Sequence, residues 1–362
     1  MCLVGNKSCL LILYIQEMPS RQLKYAPYTL TTAQPFGTAH GVRSETHIVI
    51  VQLIDGDFVG LGEASMPPYY PEKQHHMLDF MNRVDVNQLL SYDSLGEALG
   101  YVDSIAEGHT ASKAAIDIAL HDLRSKQQGV SLSRYLNINR SSDQIQSSIT
   151  IGLSDISRML KEVNRYRTYP ILKIKLGQGI SDIEIVESIR KHTEQRLWVD
   201  ANQGWKDLHE AKLICRELQS LGVELIEQPL PTGQLTMVAQ LSEQFDMAII
   251  ADEDCQDPSD IQRLAGCYDG INIKLMKCGG MRNALDMIRQ SRKSGLSIML
   301  GCMTESSIGI SAAHLLAHLV DYVDLDGNML IDNDPAIGGH LDEGYLKSIE
   351  GNGIQCRLKS GH

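Results

Sequence analysis

Residues 171–254 contain four short apolar runs, ILKIK (171–175), LWVDA (197–201), ELIEQ (224–228) and AIIADED (248–254), each carrying a charged residue at its end. Those residues are Lys175, Asp200, Glu227 and Asp252, spaced 25, 27 and 25 positions apart. Runs of this kind are strand signals, and a repeat of about 25 residues is one strand plus one helix with its loops. The stride continues outward, back to Thr150 and forward to Lys277, Cys302 and Asp326. With SITIG (148–152), GINIKL (270–275), SIMLGC (297–302) and YVDLD (322–326), the strands number eight. The segments between them, such as 183–193 and 207–221, carry the 3.6-residue period of amphipathic helices. Eight such strands close into a barrel whose strand ends face the mouth, where a β/α barrel keeps its chemistry. No full eighth helix follows Asp326, so the expectation is a (β/α)7β barrel, a modified TIM barrel, over residues 147–327.

Ahead of the barrel, Arg21–Leu30 and Thr46–Ile54 read as strands, and the turn Asp55-Gly56-Asp57 leads into a return strand Phe58–Gly62. Residues 111–126 follow a helical pattern with apolar positions at Ala115, Ile118, Ala119 and Leu123. This is an α+β unit over residues 18–146, and the tail 328–362 is expected to return to it through a strand at Ile354–Leu358. The apolar run 8–15 (SCLLILYI) after Lys7 has the outline of a signal peptide. It is much shorter than the roughly 20 residues of a membrane span, and no small-x-small cleavage site follows. Residues 1–17 are therefore read as an N-terminal extension.

Lys and Arg number 33 against 45 Asp and Glu, a net charge of −12 with no basic stripe, which argues against nucleic acid as a partner. Nothing points to a membrane either. The eight cysteines are scattered without a CxxC pair and read as reduced thiols of a cytoplasmic protein. Self-association is left open.

Asp200, Glu227 and Asp252 close three consecutive strands, so their carboxylates converge above the mouth. Three oxygen ligands without His or Cys suit a hard cation with open positions, and Mg2+ is favoured. Lys175 closes the strand on one side of this trio. On the other side Lys274 and Lys277 compete, and the Gly279-Gly280 pair favours Lys277 at the mouth. The magnesium would stabilise the charge that develops when a carboxylate substrate loses its α-proton. Burial and nearby cations are expected to lower the lysine pKa toward that of a base. A base on each face removes the proton from one side and returns one from the other, which inverts the stereocentre.

These motifs, K-I-K at 173–175, D-A-N at 200–202, E-Q-P at 227–229, A-D-E-D at 251–254 and N-I-K-L-M-K-C-G-G at 272–280, resemble those of the enolase superfamily and its muconate-lactonizing subgroup. The resemblance runs from about Arg21 onward and makes the α+β unit a capping domain. It implies Lys175 and Lys277 as paired acid/base catalysts working through an enediolate, and Asp200, Glu227 and Asp252 as magnesium ligands. G-C-M-T-E-S at 301–306 and D-L-D-G at 324–327 resemble the dipeptide epimerases. In that family Asp324 and Asp326 would receive the α-ammonium group of a dipeptide. Thr150, Cys302 and Thr304 would hold the peptide unit, and Lys173 the substrate carboxylate. Epimerases of Ala-Glu have a cap-loop arginine where this chain has Gly41, with His40 and Arg43 close by. The implied activity is an isomerase of Ala-Glu-type dipeptides in murein-peptide salvage. A cycloisomerase or an o-succinylbenzoate synthase of the same superfamily is the nearest alternative, and a non-catalytic binding barrel the alternative of another class.

Overall fold

A computed structural model of the protein describes residues 20–139 and 144–360; the N-terminal extension and its apolar run lie outside them. Strands β1 (Arg21–Thr38), β2 (Gly41–Asp55) and β3 (Phe58–Ser65) form an antiparallel sheet in that order. The β1–β2 hairpin is longer than the sequence pattern suggests, pairing from Arg21 opposite Asp55 to Thr38 opposite Gly41 with one irregularity between Thr31 and Phe36. Its tip is largely exposed, so backbone pairing holds it and no alternation of apolar residues betrays it. Between β2 and β3, Asp55 pairs with Phe58 across Gly56-Asp57, and Gly56 sits at φ 59°, as a two-residue hairpin with glycine first requires.

Helix Thr110–Gln127 packs across β3 and extends one residue beyond its sequence pattern at each end. A Cβ on Gly60 would lie 2.0 Å from the Ala119 carbonyl oxygen, and one on Gly62 1.9 Å from that of Ala115. Small residues on both surfaces therefore let the helix backbone touch the sheet. Asp122 of this helix accepts the Leu61 and Ile354 amides, both at 2.8 Å, and so fastens sheet, helix and C-terminal segment together. The C-terminal strand differs from expectation. Only Arg357–Leu358 is extended, and it pairs with Ala336–Ile337 rather than with the β1–β3 sheet. The tail reaches the first unit through isolated bridges, Ile331 against Thr32 and Gly353 against Ser131, and through the Ile354 amide, which leave no strand pattern in the sequence.

The barrel is β4 (Ile149–Ile151), β5 (Ile171–Lys175), β6 (Arg196–Asp200), β7 (Val223–Glu227), β8 (Ala248–Ala251), β9 (Gly270–Ile273), β10 (Ser297–Gly301) and β11 (Tyr322–Asp324). All neighbours are parallel. Ser148 N–H donates to the Val323 carbonyl at 3.0 Å and brings the last strand against the first. A short turn, not a helix, follows β11, which makes the architecture (β/α)7β. Trp198, Leu225 and Ile250 each lie two residues before a strand-end carboxylate and Ile171 two before Lys173, and they form an apolar floor with Met299. Period-two geometry puts the charges on the same inner side, one layer higher. Among the described residues no helix is long and apolar enough to cross a membrane.

Candidate active site

Lys175, Asp200 and Glu227 are in register at the ends of β5, β6 and β7, and Asp252 is the first residue beyond β8. Oxygens of Asp200, Glu227 and Asp252 all lie within 4.8 Å of one another, buried. Lys173 Nζ stands 2.5 Å from Glu227 Oε2 and 2.6 Å from Asp324 Oδ2. Lys175 Nζ donates to Asp200 Oδ2 at 2.6 Å, and Lys274 Nζ to Asp252 Oδ2 at 2.8 Å. Asn272 Nδ2 fixes Glu227 Oε1 at 2.8 Å, and the Asn202 amide fixes Asp200 Oδ1 at 2.9 Å. The carboxylates are thus oriented by the lysines and amides around them, and their oxygens converge on one point.

Lys277 does not occupy the mouth. It belongs to the helical turn Leu275–Cys278, and its ammonium is tied to Asp252 Oδ1 at 2.5 Å and to the carbonyls of Asp252 and Asn272 at 2.6 and 3.1 Å. Lys274, the first residue beyond β9, lines the cavity instead, together with Lys173 and Lys175. The stride of about 25 misleads here because the fifth unit carries only a 3-10 turn and the four-residue helix Ile261–Leu264. The two strand ends are therefore closer in sequence than the repeat predicts.

Burial opposes ionisation of all three acids, but the lysines decide the outcome. Lys274 and Lys277 hold Asp252 well below the usual carboxylate range, and Lys175 and Lys173 hold Asp200 below it. Glu227 is pushed up to about 7 by burial and by the charge of Asp200. Burial alone would lower the lysines, as expected from sequence, yet the carboxylates outweigh it. Asp324 raises Lys173, Asp200 raises Lys175 and Asp252 raises Lys274 above the ordinary value. The protein's own carboxylates therefore set the direction of these shifts.

The cavity's other end is built by β4, β10 and β11. Asp324 accepts Ser148 Oγ and Lys173 Nζ, each at 2.6 Å, so both its oxygens are engaged. Asp326 Oδ2 accepts the Thr150 amide at 2.6 Å. Its carboxyl is raised to about 6 by burial and by Asp324. Cys302 and Thr304 line the same cavity, with Cys302 Sγ 3.4 Å from the Asp324 carbonyl. The first unit covers the mouth with Phe36, Thr38, Arg43, Pro67 and Tyr69. Arg43 Nη2 donates to Thr304 Oγ1 at 3.0 Å, and Ser65 Oγ to the Thr304 carbonyl at 2.7 Å. Lys274, Arg43, Asn202, Asn272 and Ser148 are the residues that sequence reasoning did not assign. Asn202, Asn272 and Lys274 sit in motifs quoted above, D-A-N and N-I-K-L-M-K-C-G-G; Arg43 and Ser148 owe their place to tertiary contacts.

Residues 155–343 match the enolase C-terminal domain-like family, and residues 22–136 the mandelate racemase/muconate lactonizing enzyme N-terminal domain. The chain belongs to the enolase superfamily. Superfamily relatives include the L-Ala-D/L-Glu epimerase of Bacteroides thetaiotaomicron, 39% identical over 92% of this chain and 87% of the relative. The L-Ala-D/L-amino acid epimerase of Pedosphaera parvula is 36% identical over 93% of this chain and 100% of its own. Among solved superfamily structures, the dipeptide epimerase of Enterococcus faecalis, complexed with Mg and L-Leu-L-Tyr, superposes with a TM-score of 0.86. It shares 29% identity over 94% of this chain and 99% of that one.

Proposed function

We propose that this protein is a magnesium-dependent dipeptide epimerase, an isomerase that inverts the α-carbon of the C-terminal residue by two-base 1,1-proton transfer. One observation carries the reading. Lys175 and Lys274 flank the carboxylate trio from β5 and from the end of β9, four strands apart in an eight-stranded barrel, and therefore reach one cavity from opposite sides. Asp200, Glu227 and Asp252 would hold the metal, since their buried carboxylate oxygens converge. Magnesium, when bound, supplies Lewis-acid stabilisation of the charge left as the α-proton departs.

The chain's own groups do the rest. One lysine removes the α-proton and the other delivers a proton to the opposite face. Buried Asp326, whose carboxyl is raised to about 6, gains most from an arriving cation and takes the substrate's ammonium group, with Asp324 beside it. The backbone around Cys302 and Thr304, with Thr150, positions the peptide unit. Lys173, already paired with Asp324 and Glu227, orients those acids and stands near the substrate carboxylate.

Arg43 supports an Ala-Glu-type substrate despite Gly41. Its guanidinium faces Thr304 with Nε buried and without a hydrogen-bond partner, which suits a side-chain carboxylate of the C-terminal residue. In this reading residues 18–146 with 328–362 form the cap over the barrel 147–327. The setting is cytoplasmic murein-peptide salvage, consistent with six described cysteines that form no disulfide. The test is incubation of the protein and magnesium with a dipeptide library in deuterated water. L-Ala-L-Glu is expected to gain one deuteron at the glutamyl α-carbon, and no exchange in any dipeptide would reject the reading.

A further inference from the structure

A second, open cavity adjoins the active site between the β1 irregularity at Gln34-Pro35, the loop after β4 and the helix Ile156–Arg165. Phe36, Thr150 and Leu330 line both cavities, so they form the wall between them. Thr150 also donates its amide to Asp326. A dipeptide whose ammonium group rests on Asp326 has its N-terminal Cα beside that wall. Its peptide bond runs toward the lysines. The N-terminal side chain is the remaining substituent, and the second cavity is the space next to it.

The charges of that cavity are unequal. Arg165 lies 3.6 Å from Glu162 and over the Tyr166 ring, which gives both groups a partner. The backbone amide of Arg158 donates to the cap carboxylate of Asp155, while its guanidinium contacts only neutral acceptors, Gln34 Oε1 at 3.0 Å and the Pro35 carbonyl at 3.5 Å. Among the described residues no carboxylate stands within ion-pair distance of it. A guanidinium held by neutral groups at a cavity wall keeps donors and charge for an anion. We infer that this cavity is a subsite for the side chain of the dipeptide's N-terminal residue, and that Arg158 makes it prefer an acidic side chain there. The inference rests on the epimerase reading and adds the specificity at the non-reacting end.

The experiment compares Glu-Xaa, Ala-Xaa and Lys-Xaa dipeptides, Xaa being the C-terminal residue the wild type turns over best, by deuterium incorporation at its α-carbon. Wild type is expected to favour Glu-Xaa over Ala-Xaa by about fivefold in kcat/KM, mostly through KM, because a half-exposed pair is partly screened. The preference should shrink as salt is added. Arg158→Gln should bring the Glu-Xaa to Ala-Xaa ratio near one, and Arg158→Glu should turn the preference toward Lys-Xaa. A wild-type ratio of one, or an acidic preference that survives Arg158→Glu, overturns the subsite while leaving the epimerase reading intact. Absence of exchange in every dipeptide overturns both.

Discussion

Lys274→Ala and Lys277→Ala separate catalysis from architecture at two lysines three residues apart. Lys274 lines the cavity with its side chain 9% exposed, while Lys277 is 1% exposed and spends its donors on Asp252 and the Asn272 carbonyl. Removing a general base costs about 10²- to 10⁴-fold, roughly 3 to 5 kcal/mol of barrier. Inversion needs both bases, so Lys274→Ala should lose epimerisation by at least about 10³-fold while keeping its fold, since Asp252 retains Lys277. It should still exchange the α-proton of the one enantiomer that Lys175 reaches. Lys277→Ala breaks a buried ion pair and strands carbonyl acceptors, worth about 3 to 5 kcal/mol of stability. Its signature is a lower Tm, with the enantiomer-specific exchange pattern of wild type in whatever remains folded. The assay is deuterium incorporation into each dipeptide stereoisomer alongside thermal unfolding. A folded Lys277→Ala protein with one-sided exchange, together with a Lys274→Ala protein that epimerises normally, would refute the assignment.

Asp200→Asn removes one anionic oxygen from the trio and should weaken magnesium binding and turnover together, read by a magnesium titration of rate; full activity in excess chelator would reject the metal site. Asp326→Asn should raise KM and lower kcat by ten- to a hundredfold in kcat/KM, the loss of a charge-assisted pair of about 1.5 to 3 kcal/mol. N-acetylating the dipeptide should harm wild type comparably and add little to the mutant; equal rates for free and acetylated dipeptide would remove the ammonium receptor. Glu305 is raised from 4.5 to about 8 by burial and then by Glu63. A carboxyl raised in the folded state contributes stability that is complete below pH 4.5 and lost as pH climbs through about 8. The shift amounts to at most about 5 kcal/mol. Glu305→Gln should therefore flatten the alkaline limb of the stability curve in urea unfolding between pH 5 and 9, and an unchanged limb would contradict it.

The barrel and its carboxylate trio were legible in the chain because strand geometry is local. A side chain two residues from a floor residue shares its face, so Asp200, Glu227 and Asp252 could be assigned to one layer from alternation alone. The same holds for the helix Thr110–Gln127, whose alanines record the close approach of β3. Which lysine lines the cavity opposite Lys175 was not legible, because choosing Lys274 over Lys277 depends on where β9 ends, and a shortened fifth unit moves that point off the repeat. The carboxylate partners of the lysines were equally hidden, since they depend on which acids stand within about 3 Å on the neighbouring strand ends. Arg43, Ser148 and Asp122 act on partners far away in sequence, through contacts that no periodicity encodes. Sequence alone determined which residues rise to the barrel mouth, because backbone periodicity dictates that; only the tertiary structure decided which of them meet, because that depends on loop lengths and on the charges each side chain finds across the cavity.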